Sequence, residues 1–500
     1  MSGILSFLQG IWEFFANNIL TQPAYFIGLM VVIGYMLLRR PWYEVLSGFV
    51  KATAGYLILI VGSGGLVNNF RPILVGLKTR FDLDAMVIDP YFGQNAVTAG
   101  VMETFGRSFS SVMILLLIAF IFNILLVAFK KYTKMRAIFT TGHVQLQQAS
   151  TAFWLILFAF PTLQDPLILL IMGLVLGLYW AVGTNLTVKI TQDLTDGAGF
   201  AIAHQQMFGL ALFSKLAEKM NSGKRQSKKL EDMNFPGFLS IFNENIVATS
   251  ILMTIFFGAI LLILGKPYLI EAGFLGATKS FFFYILTTAL NFAVYLAILQ
   301  LGVRTFVTEL TNSFKGISEK LLPGAVPGVD CAVSYGFGSP NAVTIGFLFG
   351  ALGQFLAIGT LIVLKSPVLV IAGFVPVFFD NATIAVFANN KGGVRAAMLF
   401  PFIAGLMQVF GSAFIASWVG MAAYGGYLGM WDWAVVWPIF TILMKFLSYF
   451  GVALIVIFLV LIPQLQYRSD KKNYFLVTDD YEQYKANKLE EAEAKAKLAV

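Results

Sequence analysis

Cysteine is almost missing from this chain: Cys331 stands alone among 500 residues, which excludes an internal disulfide and any cysteine-rich metal or iron–sulfur site. Charge is thin as well. Asp, Glu, Lys and Arg make up 12% of the residues, against about 25% in a soluble domain, so polar surface cannot cover a soluble chain of this length. No Gly-rich loop closes on Lys-Ser/Thr, which argues against a nucleotide-driven pump. Neither a His/Glu zinc motif nor a nucleophile elbow occurs, and the apolar runs carry no arginine ladder for voltage sensing. These absences predict no catalytic residue, no metal and no cofactor. They leave an ion gradient or another protein as the source of driving energy. Residues 1–20 lack a basic n-region and hold Glu13, so no cleavable signal peptide is expected.

What is present is apolar. Hydrophobic residues make up 58%, with 46 glycines and 49 phenylalanines, and mean hydropathy is +0.79. Glycine lets membrane helices approach closely. Unbroken runs such as Val112 to Phe129 and Ile251 to Leu264 lack the alternation of a membrane β-barrel. The fold class expected is an all-α polytopic membrane protein. Spans are predicted near 23–38, 47–66, 109–129, 150–163, 165–186, 246–265, 280–302, 342–364, 366–379, 397–423 and 435–462, about eleven in all. Pro161 and Pro166 bracket a tight connection that makes the fourth and fifth a hairpin. The segment with Ile4, Leu5, Phe7, Leu8, Ile11, Trp12, Phe14 and Phe15 reads as an interfacial amphipathic helix.

The net charge of +8 is not a nucleic-acid signal, because the cations gather in loops between apolar runs. Clusters lie at Arg39/Arg40, from Lys130 to Arg136, and from Lys215 to Lys229. The positive-inside rule puts all three in the cytoplasm, and the span parity then places the N-terminus outside and the C-terminus inside. Residues 1–465 form the membrane domain, and 466–500 form a charged, solvated cytoplasmic tail, partly helical over 481–499 and too short for a catalytic domain.

Three stretches fit neither a span nor a solvated loop: 85–107, 136–148 with 189–210, and 304–341 with 380–395. Irregular backbone at membrane depth is tolerated where it is buried in protein or lines a polar cavity, and broken segments of this kind build transporter sites. Two echoes hint at a repeat: Gln94-Asn95-Ala96-Val97 against Pro340-Asn341-Ala342-Val343, and Gly142-His143 with Gln147-Gln148 against His204-Gln205-Gln206.

The polar groups concentrate in those stretches. Both histidines, His143 and His204, stand among glutamines: Gln145, Gln147, Gln148, Gln205 and Gln206. Such groups donate and accept hydrogen bonds and suit a solute dense in hydroxyl and carbonyl oxygens; the competing reading is glue between helices. Asp330 follows a Gly/Pro break, and a carboxylate at the bilayer centre costs about 2.5–3.5 kcal/mol. It either meets a solute or coupling proton, or pairs structurally with Arg304, Lys320 or a helix N-terminus. Asp89-Pro90-Tyr91 and Asp193 with Asp196 read as turns or caps, with Tyr91 able to stack on a ring-shaped solute. Asp380-Asn381-Ala382-Thr383 and Asn389-Asn390-Lys391-Gly392-Gly393 read as a structured turn or gate, and Cys331 as a packing residue.

Taken together, Gly142-His143 with Gln147-Gln148, Thr191-Gln192-Asp193-Leu194-Thr195-Asp196-Gly197, and His204-Gln205-Gln206 resemble the ascorbate-specific enzyme IIC of the bacterial sugar phosphotransferase system. So do Phe235-Pro236-Gly237, Leu322-Pro323-Gly324-Ala325 with Asp330-Cys331-Ala332, and Phe379-Asp380-Asn381-Ala382-Thr383-Ile384 with Val386-Phe387-Ala388-Asn389. The resemblance covers essentially residues 1–465. It implies a homodimer whose subunits each have a core domain and a V-shaped dimerisation domain, in the bacterial inner membrane. It implies uptake of L-ascorbate and release of ascorbate 6-phosphate, with the phosphoryl group carried by a separate IIB protein fed by IIA. No fused IIA or IIB domain is expected, since none fits in the tail. By resemblance, the solute contacts fall on Pro90, Tyr91, His143, Val144, Gln145, Leu146, Gln147, His204, Gln205 and Asp330; the family more often carries threonine where Pro90 stands. The alternative from the residues alone is an ion-coupled secondary transporter of a small sugar acid, with Asp330 and the histidines as its proton path.

Overall fold

The computed structural model describes residues 10, 14–15, 18, 23–81, 85–107, 110–162, 165–221, 227–233, 245–320, 322, 325–373 and 375–498. Most of the amphipathic segment over 1–20, Lys224 and Arg225 of the third basic cluster, and the Phe235-Pro236-Gly237 and Pro323-Gly324 motifs lie outside the described residues.

Among the described residues the chain is mostly helical. The principal helices are α1 (Pro23–Leu37), α2 (Trp42–Phe81), α3 (Pro90–Phe105), α4 (Ser110–Ala128), α5 (Gly142–Ala159), α6 (Asp165–Thr195) and α7 (Met207–Asn221). After them come α8 (Asn245–Leu264), α9 (Phe281–Lys320), α10 (Pro340–Val363), α11 (Asn381–Trp418), α12 (Trp431–Ser469) and α13 (Tyr481–Leu498). Among the described residues, five stretches are long and apolar enough to cross a membrane: Trp42–Gly62, Pro166–Thr195, Pro340–Val363, Pro376–Trp418 and Trp431–Ser469. Where the hairpin is expected, a short connection that includes Pro161 separates α5 from α6, and the two helices touch; residues 163–164 lie outside the described residues.

Six short strands interrupt the helices among the described residues: β1 (Ala85–Ile88), β2 (Ala137–Phe139), β3 (Ala201–Ile202), β4 (Val326–Val329), β5 (Leu369–Ala372) and β6 (Gly426–Tyr427). They form two parallel sheets, ordered β5-β1-β6 and β2-β4-β3. The first half of the chain contributes β1 to β3 and the second half β4 to β6. Each sheet therefore takes its central strand from one half and both edges from the other. The two central strands end alike: the Asp89 Oδ1 accepts from the Tyr91 N–H at 2.9 Å, and the Asp330 Oδ1 accepts from the Ala332 N–H at 2.9 Å. The echo between 94–97 and 340–343 thus belongs to helices following corresponding strands.

Two expectations are corrected. Residues 366–379 do not form a span: Leu369–Ala372 is strand β5, and Pro376–Asp380 is one wide turn leading into α11. A short apolar run rich in Val and Ile reads alike as buried helix or buried strand, and periodicity cannot separate them. Residues 381–395, expected to be irregular, are instead the start of α11, with one break at Gly393, whose φ is +67°. There a side chain would be strained and would also meet the Lys228 carbonyl oxygen.

The tail is not merely a solvated extension. Tyr474, Val477 and Tyr484 are buried, and Val477 and Tyr484 join Ala137, Val188, Ala201 and Val326 in a small apolar cluster. Arg136 stacks on the Tyr474 ring at 3.7 Å and also donates to its backbone carbonyl. The tail helix α13 matches the helix expected over 481–499.

Candidate functional site

In the sheet β2-β4-β3 all three strands run the same way, so their carboxyl ends share one edge. Ligands in parallel sheets collect at that edge, where following helices begin. After β2 the chain turns through Thr140-Thr141 into α5; after β3 it turns through Ala203-His204-Gln205-Gln206 into α7; after β4, Asp330 opens the tight turn Cys331–Gly336. The turns are tied together. The Thr140 hydroxyl donates to the Gly328 carbonyl, the Thr141 hydroxyl to the Ala203 carbonyl at 2.8 Å, and the Ala203 N–H to the Val329 carbonyl at 2.8 Å. Gly328 allows this closeness, since a Cβ there would lie 2.5 Å from Thr184, 2.6 Å from Ala203 and 2.7 Å from the Ile138 oxygen.

This arrangement brings together three residues far apart in sequence. The Asp330 Oδ2 lies 3.4 Å from the His143 Nε2 and 3.9 Å from the His204 Nε2. All three ligand atoms fall within 4.8 Å of one another. Their side chains are only 11%, 6% and 5% exposed for His143, Asp330 and His204. The tautomer of His204 follows from its neighbours. The Gln206 Oε1 accepts the Gln205 backbone N–H at 3.0 Å and lies 2.7 Å from the His204 Nδ1. An oxygen accepting from a backbone N–H also accepts from the imidazole, so Nδ1 carries hydrogen and the neutral ring turns its Nε2 lone pair toward Asp330. A lone pair facing a carboxylate needs a proton, a hydroxyl donor or a cation between them.

Glutamines complete the site. The Gln205 Nε2 donates to the Gln147 Oε1 at 2.8 Å. The Gln205 Oε1, the Gln206 Nε2 and the His143 Nδ1 are buried without a hydrogen-bond partner. A buried polar atom left unsatisfied costs about 1–3 kcal/mol, so these atoms favour a ligand rich in donors and acceptors. Gln145 and Gln148 do structural work: Gln145 donates to the Phe139 carbonyl at 3.2 Å, and Gln148 bridges the His204 carbonyl and the Trp180 indole. The helix-glue reading thus fits Gln145 and Gln148, while Gln205 and Gln206 keep buried polar atoms without a partner. Asp330 likewise caps a turn with one oxygen and faces the histidines with the other.

Pro90 and Tyr91 lie on the other sheet, at the start of α3, with Asp89 as its cap. Helix α3 packs against α5, and Tyr56 lies beside α5, its ring centre 6.0 Å from that of His143. Sequence reading missed Tyr56, because a tyrosine inside an apolar helix carries no signal beyond its hydroxyl. The Val144 side chain is wholly buried in the apolar core and Leu146 packs against it, so their side chains belong to packing. Cys331 is fully buried, as expected of a packing residue. Asp193, read as a turn or cap, pairs with Lys189 at 2.9 Å and with Lys391. Asp380 accepts the Trp431 N–H at 2.7 Å, so this expected turn caps α12. Asp432 accepts from the Phe208 and Gly209 N–H groups and the Tyr179 hydroxyl, and caps α7.

Comparison with known proteins places these features in context. Residues 18–434 match the EIIC-GAT family, described as the PTS system sugar-specific permease component. The chain is 34% identical over 449 residues to the ascorbate-specific PTS system EIIC component of Mycoplasma pneumoniae (strain ATCC 29342 / M129 / Subtype 1). That match covers 81% of this chain and 66% of the relative, slightly less than two thirds of the relative's length.

Proposed function

We propose that this chain, which belongs to the family of PTS sugar-specific permease components, binds L-ascorbate and carries it into the cytoplasm for phosphorylation. A phosphorylated IIB protein, recharged by IIA, supplies the phosphoryl group and releases ascorbate 6-phosphate, whose charge traps it inside. This chain contributes no catalytic group to that transfer. The observation that carries the reading is the buried His143–Asp330–His204 cluster beside the unpartnered Gln205 and Gln206 side chains. The printed name of the Mycoplasma pneumoniae relative supports the choice of solute.

The geometry supports the following roles. Asp330 accepts from solute hydroxyls, His204 Nε2 accepts a second, and Gln205 and Gln206 offer one carbonyl and one amide. Tyr91 and Pro90 close on the solute from the α3 side; His143 and Gln147, with the backbone of Val144, Gln145 and Leu146, form the α5 side. The protein works as a homodimer in the bacterial inner membrane, N-terminus outside and C-terminus inside. The group α1, α2, α8 and α9, whose members pack on one another, serves as the dimerisation domain against which the sheet-bearing core moves during alternating access.

Uptake into vesicles tests this reading. Labelled ascorbate appears inside as its phosphate only when IIB and a phosphoryl donor are supplied. Accumulation of unmodified ascorbate on a proton gradient alone would instead establish the ion-coupled alternative. Replacing His204 or Asp330 with alanine abolishes ascorbate binding to purified protein; unchanged affinity in either removes that residue from the site.

A further inference from the structure

We infer that His143, His204 and Asp330 form a site for a divalent transition-metal ion of the Zn2+ type, and that the bound ion blocks the permease. The ligand atoms are already close to the required arrangement. Zinc–nitrogen and zinc–oxygen bonds of about 2.0–2.2 Å in a tetrahedron set ligand–ligand distances of about 3.3–3.5 Å. The observed separations from the Asp330 Oδ2 are 3.4 Å to His143 and 3.9 Å to His204, and all three atoms lie within 4.8 Å of one another, so drawing the set onto an ion takes a closing movement of the two rings of up to about 1 Å.

Two of the three ligands are held as metal ligands usually are. A ligating histidine donates its other ring N–H to a carbonyl or carboxylate, which fixes the tautomer and aims the lone pair. His204 does this through the Gln206 Oε1. Asp330 has one oxygen bound to the Ala332 N–H and presents the other to both rings. The His143 Nδ1, buried and unpartnered, leaves that ring free to turn. A divalent ion between the three atoms replaces the opposition of lone pair and carboxylate with attraction to each. Two imidazoles and one carboxylate suit Zn2+, Co2+, Ni2+ or Cu2+, and are a poor set for Mg2+ or Ca2+, which take oxygen ligands. Three protein ligands leave at least one position open, as in sites that exchange water.

Metal binding stands on this geometry alone; the blockade rests also on the ascorbate site proposed above, because ion and solute would claim the same Asp330 oxygen and His204 nitrogen.

The test uses full-length protein in detergent, freed of any polyhistidine tag. Titration with ZnCl2 by calorimetry, and with CoCl2 by visible absorption, is expected to give one ion per subunit, with Mg2+ unable to displace it. His143→Asn, His204→Asn and Asp330→Asn each weaken binding at least tenfold, and an unchanged thermal midpoint without metal shows that the variant is folded. Wild-type affinity in folded variants overturns the proposal, as does equal displacement by Mg2+. Saturating Zn2+ also raises the apparent Kd for labelled ascorbate; an unmoved Kd overturns the blockade. Metal binding without ascorbate binding removes the solute assignment and keeps the metal site. Ascorbate binding without metal binding does the reverse.

Discussion

His204 shows how one side chain's chemistry is set by its neighbours. Its burial and the Gln206 carbonyl leave Nε2 as an acceptor, so on the function proposed above Gln206 acts through the ring it orients as well as through its own amide. Gln206→Leu is expected to lower ascorbate affinity by the worth of two net hydrogen bonds, about 2 kcal/mol or roughly thirtyfold. Gln206→Glu keeps the acceptor for the ring but loses the amide donor, and restores part of the loss; equilibrium binding to both variants measures the pair. Tyr56→Phe probes the residue that sequence reading overlooked. Loss of its hydroxyl is expected to weaken ascorbate binding while leaving the thermal midpoint in place, since the ring still packs on Phe306 at 5.9 Å. Unaltered affinity would confine Tyr56 to packing.

At the scale of elements, the site depends on strands too short to be stable alone. Strands β2 and β4 pair over three residues and β3 and β4 over two; their alignment comes from side-chain ties and from the absence of a side chain at Gly328. Gly328→Ala places a methyl against Thr184, Ala203 and the Ile138 carbonyl, and overpacking of this kind costs about 1–3 kcal/mol. A lowered thermal midpoint in detergent, with weakened ascorbate binding, is the expected result. The tail offers a second test. Tyr484 is 5% exposed and packs in the cluster with Ala137 and Val326, the first residues of β2 and β4. Tyr484→Ala leaves a cavity costing about 3–5 kcal/mol, by analogy with large aromatic truncations, and limited proteolysis should then cut the tail faster than in the wild type.

For the whole molecule, the interleaving of the two sheets has a direct consequence. Neither half of the chain holds a complete sheet, because β1 needs β5 and β6 while β4 needs β2 and β3. Expressed alone, residues 1–233 or 245–500 are expected to bind no ascorbate and to be degraded. Expressed together, they should co-purify and recover binding. Binding by either half alone would contradict this reciprocal dependence. The same interleaving ties the two halves of the chain together, as the alternating access proposed above requires of the sheet-bearing core.

The sequence by itself determined the class, because 12% charge against 58% hydrophobic residues leaves a long chain nowhere to fold but a membrane. It also marked His143, His204 and Asp330, since buried polar groups in apolar surroundings are too costly to be idle. It could not distinguish β5 from a helix, or foresee that the tail packs beneath the sheet, for each depends on partners distant along the chain. Nor could it show that the two histidines share one carboxylate oxygen. His143 and His204 follow the outer strands of a sheet whose middle strand arrives from the other half of the chain. Only the tertiary structure decides that meeting, because strand pairing is set by backbone hydrogen bonds that carry no local signature in the sequence.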